Sequence, residues 1–450
     1  MTIQHDRQAD TITSRREVIN RGICNFIDQS PTPFHATQTI SRLLSEAGFQ
    51  LLDESECWTL KAGKKYYVTR NQSSLIAWQQ GVKPVAECGW RMLGAHTDSP
   101  CLKIKPQPDL HKHNAWRLGV EVYGGALLNP WFDRDLSIAG RVHYSDGSGA
   151  IQSALVDFKC PIATIPSLAI HLDREANKSR TINPQQHLPV LLSVDAQASD
   201  GDFQQLLLEQ VERNQAADNG VAERKVLDHE LYLYDTQSAA IIGLHGDFIA
   251  AARLDNLLSC YVDTQALIHA CDEWGPAADW SLLVCSDHEE VGSQTAAGAG
   301  GPFLSQVLQR IESEPSNLAR ALSCSMLIST DNAHALHPNY ADKLDANHAP
   351  LVNGGPVIKV NANQRYASNS ETQAVFRAIC SARDIPVQNF VMRSDMACGS
   401  TIGPITASEL GVKTLDVGLP TFAMHSIREL AGSHDGLLMH EALKAFYARL

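Results

Sequence analysis

The sequence predicts an α/β fold, in which an open sheet is flanked by helices and a strand-rich domain is inserted. Short apolar runs bounded by turn signals precede His96, Glu289 and Asp331, and such runs are typical of buried strands. From Asp255 onward the runs are spaced by about one strand–helix unit, which favours alternating strands and helices. A much longer segment separates His96 from Asp255, and this gap predicts the insertion.

The first part of the chain is predicted to contain two helices and three strands. One helix spans Ser14 to Ser30, where the Pro31-Thr32-Pro33 segment ends it. The next helix runs from Thr37 to Gly48, because glycine closes an amphipathic pattern there. The strands are Tyr66–Thr69, Leu75–Gln79 and Met92–Ala95.

The insertion is predicted to cover residues 100–244, so residues 1–99 and 245–450 form one discontinuous domain. It contains the predicted strands Trp116–Tyr123, Leu136–Tyr144 and Leu188–Val194, then a helix and a loop within Gln197–Arg224. A helix from Asn256 to Trp274 follows, which places Asp255 at a strand-to-helix junction. The alternation is completed by strands Val357–Asn361 and Thr414–Gly418 and a helix from His434 to Leu450.

Composition excludes several classes of protein. The 450 residues are 44% hydrophobic and 19% charged, which indicates a globular chain large enough for two domains. A formal net charge of -13 argues against a nucleic-acid partner. We expect no signal peptide, and no apolar run reaches the roughly 18–20 residues of a membrane span. Eleven cysteines without a Cys-x-x-Cys pair are typical of a reducing compartment, so we expect a cytoplasmic protein.

The residues with metal-binding chemistry lie where predicted strands end. They are His96, Asp255, Glu289, Glu290, Asp331 and His425. In an open α/β sheet, functional side chains collect beyond the carboxyl ends of the strands. Two imidazoles and several carboxylates delivered there favour a site for two divalent metal ions.

Each candidate also allows a simpler interpretation. Asp98 can accept the second ring N–H of His96 and fix its tautomer, although a lone histidine is more often a hydrogen-bonded core residue. Asp255 also fits a helix N-cap. Glu289 and Glu290 repel each other and resist burial without cations, yet acidic turns are common in solvent. We assign Glu290 as a metal ligand and Glu289 as the general base.

The remaining candidates follow the later strands. Asp331 comes directly after an apolar run, although Asp-Asn is also an ordinary turn opening. His334 and His337 are rival ligands, and we rank them as supporting or structural residues. His425 follows the Thr414–Gly418 strand and completes the predicted ligand set.

Long motifs over nearly the whole chain resemble those of the aspartyl aminopeptidases, a family of exopeptidases with two zinc ions. The motifs are Ser30–His35, Gly94–Lys105, Asp287–Ser293, Ser329–Asn339, Gly354–Asn361 and Met424–Glu429. The resemblance implies a three-layer α/β/α catalytic domain of the zinc-exopeptidase type with an inserted, β-rich dimerisation domain. It also implies a homododecamer built from dimers that acts on peptides.

The resemblance further assigns the metal ligands. His96 and Asp331 would hold one zinc ion, and Glu290 and His425 would hold the other. Asp255 would bridge both ions. Cobalt and manganese can share such ligands, so the metal is not fixed by the pattern.

Other roles also follow from the resemblance. Glu289 would act as base and acid, and Asp98 would orient the first-site ligand. His171 would reach into the active site of a neighbouring subunit, although from the sequence alone it is an ordinary strand-end residue. Lys359 would meet an acidic substrate side chain, although a solvated strand lysine is the simpler interpretation. Tyr366 would stabilise the tetrahedral intermediate.

We therefore expect a metallo-aminopeptidase that removes N-terminal Asp or Glu through a two-zinc-activated water, with Glu289 as general base. One alternative is a member of the same family with a non-acidic preference. Others are a different two-metal amide hydrolase or deacylase, and a phosphoesterase, which usually needs a basic cluster that these motifs lack. A non-enzymatic shell or cargo protein is the last alternative, and such a protein has no need of Glu289.

Overall fold

The computed structural model describes residues 2–146, 149–194, 202–214, 224–276 and 280–448. The helices are α1 (Thr2–Asp28), α2 (Pro33–Glu46), α3 (Val85–Cys88), α4 (Pro184–His187), α5 (Phe203–Asn214), α6 (Leu254–Trp274), α7 (Phe303–Ile311), α8 (Pro315–Cys324), α9 (Ser370–Ser381), α10 (Ile402–Leu410) and α11 (Asp435–Ala448). No described helix is both long enough and apolar enough to cross a membrane.

The strands form three sheets. They are β1 (Gln50–Leu51), β2 (Lys65–Arg70), β3 (Ser74–Gln79), β4 (Trp90–His96), β5 (Cys101–Lys112), β6 (Ala115–Tyr123), β7 (Leu136–Ser145), β8 (Ile151–Asp157), β9 (Val190–Val194), β10 (Lys225–Asp235), β11 (Ala240–Ile242), β12 (Phe248–Ala251), β13 (Trp280–Ser286), β14 (Met326–Thr330), β15 (Ala333–His334), β16 (Val357–Val360), β17 (Gln388–Val391), β18 (Lys413–Gly418), β19 (Pro420–Phe422) and β20 (Glu429–Gly432).

The chain divides into two compact units. The first unit comprises 1–98, 239–424 and 429–450, and the second comprises 99–238 and 425–428. The predicted insertion, 100–244, does not include the 425–428 segment. Its role as a dimerisation domain stays a prediction.

The first unit is built on a nine-stranded sheet in the order β1-β2-β3-β13-β4-β14-β18-β16-β17. Its strands β13, β4, β14 and β18 run parallel to one another. Parallel neighbours end at the same edge of a sheet, so the residues that follow them are brought together. Ser286 at the end of β13 is in register with His96 at the end of β4, and Asp331 comes directly after β14.

Helices cover both faces of this sheet. All positions of β13 are buried, and its adjacent residues Leu282 and Leu283 belong to different hydrophobic cores. Leu283 packs with α1, α6 and α11, whereas Leu282 packs with α7 and α8. Side chains alternate across a strand, so a strand buried on both sides requires a continuous apolar run. These contacts make the first unit a three-layer α/β/α structure.

A smaller sheet in the first unit, β11-β12-β20-β19-β15, has five strands. In it Ala251, the last residue of β12, is in register with Glu429, the first residue of β20. This pairing places the Glu429 side chain close to the start of α6.

The second unit contains an antiparallel six-stranded sheet in the order β8-β7-β10-β5-β6-β9. Its hydrophobic core joins Leu118 and Ile138 from the sheet with Phe203 and Leu207 from α5. The second unit is therefore rich in strands and has a core of its own.

The predicted α/β class is confirmed, while several element bounds differ from those read from the sequence. The second helix begins at Pro33 rather than Thr37, because the Thr32 side chain accepts a hydrogen bond from the His35 N–H and proline suits the first helical position. The first helix begins at Thr2 rather than Ser14. Of the predicted 197–224 segment, α5 is described, and 197–201 and 215–223 lie outside the described residues.

Candidate metal centre

The candidate ligands of the first unit meet at the carboxyl ends of its parallel strands. His96 ends β4, and Asp331 follows β14. After β13 the chain passes through His288, whose φ of 64° is left-handed, into the short helical turn Glu289–Val291. Asp255 arrives from the start of α6, where its φ of -83° and ψ of 105° are extended rather than helical.

The His96 ring presents its two nitrogens to different partners. Its Nδ1–H donates to the main-chain carbonyl oxygen of Asp98 at 3.0 Å, and the Asp98 Oδ1 lies 3.4 Å away. A carbonyl can only accept, so Nδ1 carries the proton and Nε2 keeps its lone pair in the neutral ring. Nε2 lies 3.4 Å from Asp255 Oδ1 and 3.6 Å from Asp331 Oδ1. The imidazole is therefore oriented for coordination between two carboxylates.

Asp98 also fixes the turn that carries the paired glutamates. Its two carboxylate oxygens accept hydrogen bonds from the backbone N–H groups of Glu289, at 3.0 Å, and Glu290, at 3.1 Å. Asp98 was predicted to accept from His96 through its side chain, whereas the closer acceptor is its main-chain oxygen. One fully buried residue thus contacts both His96 and the 289–290 turn.

Burial and crowding of carboxylates shift the pKa values at this centre. Burial raises the pKa of Glu289 to about 7, with His96 opposing the shift and Asp331 and Asp255 adding to it. Burial also raises the pKa of Glu290 well above its usual value, and Asp255 adds to the rise. Burial lowers the pKa of His96, but hydrogen bonds to Asp255 and Asp331 outweigh this effect and raise it well above 6.5. Such a cluster holds protons unless cations neutralise its charge.

The donor set fits divalent metal ions. One donor atom from each of His96, Asp255 and Asp331 lies within 4.8 Å of the others, and the same holds for His96, Glu289 and Glu290. Imidazole nitrogen combined with carboxylate oxygen suits zinc, cobalt and manganese.

Two predicted site residues belong to the second unit. His425 lies in the 425–428 segment, where its Nδ1 is 3.3 Å from the Gly125 carbonyl oxygen and its own carbonyl accepts from the Leu127 N–H. His171 is exposed in a segment of turns, beside Leu172, which is 75% exposed. The metal role of His425 and the role of His171 in a neighbouring subunit stay predictions.

The rival histidines make aromatic contacts. The His334 ring packs edge-on to Phe390 at 5.6 Å between centroids, and the His337 ring packs against Tyr340 and Phe422. Within the part of the chain that the structure describes, neither histidine belongs to a cluster of three metal-binding donors. These contacts agree with a supporting or structural role.

Two of the three predicted substrate-binding residues, Lys359 and Tyr366, are buried beside Asp331. The Lys359 ammonium donates to Asp331 Oδ2 at 3.2 Å and to the Asn332 carbonyl oxygen at 3.1 Å. It also lies 5.1 Å from the centroid of the Tyr366 ring. Burial raises the pKa of the Tyr366 hydroxyl, which therefore stays protonated and can donate a hydrogen bond.

Sequence reasoning missed several residues that hold the site. Glu429 is buried and accepts from the Asp255 N–H at 2.9 Å. The Cys260 thiol donates to the His96 carbonyl oxygen at 3.0 Å. Asp263 lies 2.6 Å from the Thr330 hydroxyl, one residue before Asp331. Glu429 is the last residue of the Met424–Glu429 motif, so the motif could have identified it. Cys260 and Asp263 lie within α6, outside the quoted motifs, and no sequence pattern identifies them.

Comparison with known proteins gives one consistent family. The model of the aminopeptidase I zinc metalloproteases, family M18, matches residues 26–447. The chain is 59% identical over 433 residues to the probable M18 family aminopeptidase 2 of Stutzerimonas stutzeri, which covers 96% of this chain and 99% of that protein. It is 57% identical to the protein of the same description from Pseudomonas syringae pv. tomato, with the same coverage.

Solved structures give the same result. A chain of the cryo-EM structure of the Ape4 and Nbr1 complex matches with a TM-score of 0.92 and 36% identity, covering 97% of this chain and 86% of that chain. A chain of the Saccharomyces cerevisiae mApe1 dodecamer matches with a TM-score of 0.83 and 29% identity, covering 97% of each chain. The family expected from the motifs is confirmed. The chain belongs to the M18 family of zinc metallopeptidases and is an aminopeptidase.

Proposed function

We propose that this aminopeptidase works with two divalent ions at the carboxyl ends of β4, β13 and β14. The observation that carries the proposal is the convergence of imidazole and carboxylate donors there. The donors are those of His96, Asp255, Glu289, Glu290 and Asp331. Carboxylates so close together and so little exposed favour cations over protons near neutral pH.

The ligands divide between two ions. His96 and Asp331 would hold one ion, Glu290 and His425 would hold the second, and Asp255 would be a ligand of both. The 3.4 Å approach of Asp255 to His96 Nε2 supports the bridge, and the family motif at Met424–Glu429 supports His425. Zinc is the proposed metal, in line with the description of the family, and cobalt or manganese are alternatives.

Glu289 is the proposed acid–base group. Bound divalent ions would polarise the scissile carbonyl and acidify the attacking water. Glu289 takes a proton from that water as it attacks, and returns the proton to the leaving amine as the peptide bond breaks. Asp98 positions both Glu289 and His96 for this step, since its carboxylate accepts from the backbone N–H of Glu289 and its main-chain oxygen accepts from His96 Nδ1.

We propose a preference for N-terminal Asp or Glu, which rests on the resemblance of the motifs to aspartyl aminopeptidases. The resemblance assigns Lys359 as the cation that meets the acidic side chain, and Tyr366 as the donor to the tetrahedral intermediate. A non-acidic preference within the same family is the second candidate. The ion pair of Lys359 with Asp331 favours it, because an ammonium already paired has less attraction for a substrate carboxylate.

We propose that the chain assembles into a homododecamer built from dimers, with His171 entering a neighbouring site. One solved relative is a dodecamer by its description. Leu168, Ile170 and Leu172 around His171 are 58%, 47% and 75% exposed, and apolar side chains this exposed are typical of contact surfaces.

A cytoplasmic location is proposed from the cysteines. All eleven lie within the described residues, where none of them forms a disulfide bond. Cysteines that stay in the thiol form are typical of a reducing compartment.

The test of the mechanism is Glu289→Gln, assayed on aminoacyl anilides with Asp, Glu, Ala and Leu. The amide keeps the shape of the side chain and cannot take a proton. We expect turnover to fall by about 100- to 10,000-fold, while the metal content by elemental analysis equals that of the wild type. Glu371→Gln, in an exposed pair with Lys413, is the matched control and should leave turnover unchanged.

Three outcomes would count against the proposal. A Glu289→Gln variant with most of its activity would remove this residue from the mechanism. Loss of metal from that variant would place it among the ligands instead. Hydrolysis of phosphate esters, but not of anilides, would favour the phosphoesterase alternative.

A further inference from the structure

Lys359, on β16, is a lysine whose charged group is removed from water. Its exposed fraction is 2%, and it is among the largest fully buried side chains of the described residues. A buried ammonium is costly unless it is paired and hydrogen-bonded. Lys359 Nζ meets this need through Asp331 Oδ2 at 3.2 Å and the Asn332 carbonyl oxygen at 3.1 Å. The third N–H has the Tyr366 ring nearby, with its centroid at 5.1 Å from Nζ.

The two oxygens of the Asp331 carboxylate have different neighbours, His96 and Lys359. Oδ1 lies 3.6 Å from His96 Nε2, within the cluster of donors proposed to bind metal. Oδ2 accepts a hydrogen bond from Lys359. This arrangement selects one rotamer of Asp331 and offers one oxygen to an ion. Partners of this kind orient metal ligands and raise their affinity.

Lys359 also fixes the backbone beside the ligand. Its second bond goes to the carbonyl oxygen of Asn332, the residue after Asp331. The Asp331 N–H donates to the Val417 carbonyl oxygen at 3.0 Å, which ties the other side of the residue to β18. Asp331 is therefore held by its side chain and by the main chain on both sides.

We infer that Lys359 is a positioning residue that holds Asp331 in its metal-binding orientation. The inference rests on the proposed function, since it takes Asp331 to be a ligand. It differs from the substrate contact predicted for Lys359, because to reach a substrate the ammonium must break its bonds to Asp331 and Asn332. Loss of a positioning residue weakens metal binding and so lowers activity on every substrate alike. Loss of a substrate contact lowers activity on acidic substrates only.

The experiment measures zinc affinity by chelator competition in Lys359→Met and Lys359→Arg, together with kcat/KM for Asp and Ala anilides. We expect Lys359→Met to bind zinc about 10- to 100-fold more weakly. At limiting zinc its activity falls equally on both anilides, and at saturating zinc the Asp-to-Ala ratio equals that of the wild type. Lys359→Arg keeps the charge and should retain part of the affinity. Lys413→Met breaks a lysine–carboxylate pair at the opposite end of the strands and should leave zinc affinity unchanged.

Unchanged or tighter zinc binding in Lys359→Met, with a loss confined to the Asp anilide, would overturn the inference. Circular dichroism and urea unfolding of the metal-free proteins show whether each variant is folded. If Lys359→Met does not fold, the result for Lys359→Arg decides. Wild-type zinc affinity in Lys359→Arg, together with a changed ratio of kcat/KM for the Asp and Ala anilides, would also overturn the inference.

A further variant separates this inference from the proposed function. If Asp331→Asn binds zinc as the wild type does, the ligand assignment fails and the inference about Lys359 fails with it. If Asp331→Asn loses zinc and Lys359→Met does not, only the inference fails.

Discussion

Asp263 is a fully buried carboxyl group in α6, and its replacement by asparagine should change how stability depends on pH. Its Oδ2 lies 2.6 Å from the Thr330 hydroxyl, which lies 3.0 Å from the Gly94 carbonyl oxygen. The single Thr330 hydroxyl proton is donated to the Asp263 carboxylate when that group is ionised, whereas a protonated Asp263 can donate to Thr330 and leave the hydroxyl proton for Gly94. Burial raises the pKa of Asp263 to about 8, although the hydrogen bond with Thr330 lowers it.

The direction and size of the change in folding stability with pH follow from the pKa of Asp263. The unfolded chain has a carboxyl pKa near 3.8, so the folded protein binds this proton more tightly than the unfolded chain does. Stability from this group is therefore greatest below the unfolded pKa and falls as the pH rises through the folded pKa of about 8. At about 1.4 kcal/mol for each pKa unit, the cost near pH 7 is on the order of 4 kcal/mol. Asparagine donates an N–H to Thr330 and has no proton to lose.

We expect Asp263→Asn to match the wild type near about pH 4 and to be more stable by up to about 4 kcal/mol near neutral pH. Urea unfolding at both pH values measures this, at fixed protein and metal concentrations, because assembly and metal binding also stabilise the folded state. The difference between variant and wild type removes the contributions of other groups. Asp272→Asn, in the same helix but exposed, is the matched control. A difference that does not change with pH would refute the reasoning.

Two further predictions concern the strand next to Asp331 and the proposed assembly. Gly418→Ala should lower the free energy of unfolding in urea by about 1–3 kcal/mol, because the added Cβ would lie 2.0 Å from the Asp331 carbonyl oxygen. Gly399→Ala is the control, since there is open space around its Cβ. Equal stability of the two variants would contradict the close contact at Gly418. Subunits carrying His171→Ala and subunits carrying Glu289→Gln should regain activity when mixed, since one site then combines an intact Glu289 with an intact His171 from a neighbouring subunit. If oligomers shown to contain both variants are inactive, this counts against a role of His171 in a neighbouring subunit.

The ends of the buried strands were the most predictable part of the protein. β4, β13 and β14 are almost entirely buried, so apolar residues predominate in their sequences. Ionisable residues at the ends of such strands lie at the sheet edge, as His96 and Asp331 do. The distances from His96 to Asp255 and Asp331 agree with this prediction of proximity, whereas their metal-binding roles stay predictions.

Contacts between residues far apart in sequence could not be read from local pattern. Lys359 has the spacing of a solvated strand lysine, and its hydrogen bonds to Asp331 and Asn332 compensate for its burial. Asp263 is one of several polar residues in α6, and its hydrogen bond depends on the position of β14. The 425–428 segment groups with the second unit although it follows β19 of the first. Each outcome depends on packing that no short window of sequence contains.

The contacts of Asp98 bear on the exchange of one metal for another. Its carboxylate and carbonyl oxygens join the end of β4 to the turn after β13, across 191 positions of sequence, and no cation takes part. At the proposed metal site, these hydrogen bonds would hold the side chains in place between the loss of one ion and the binding of the next. Replacement of the metal would then need no refolding of the strand ends.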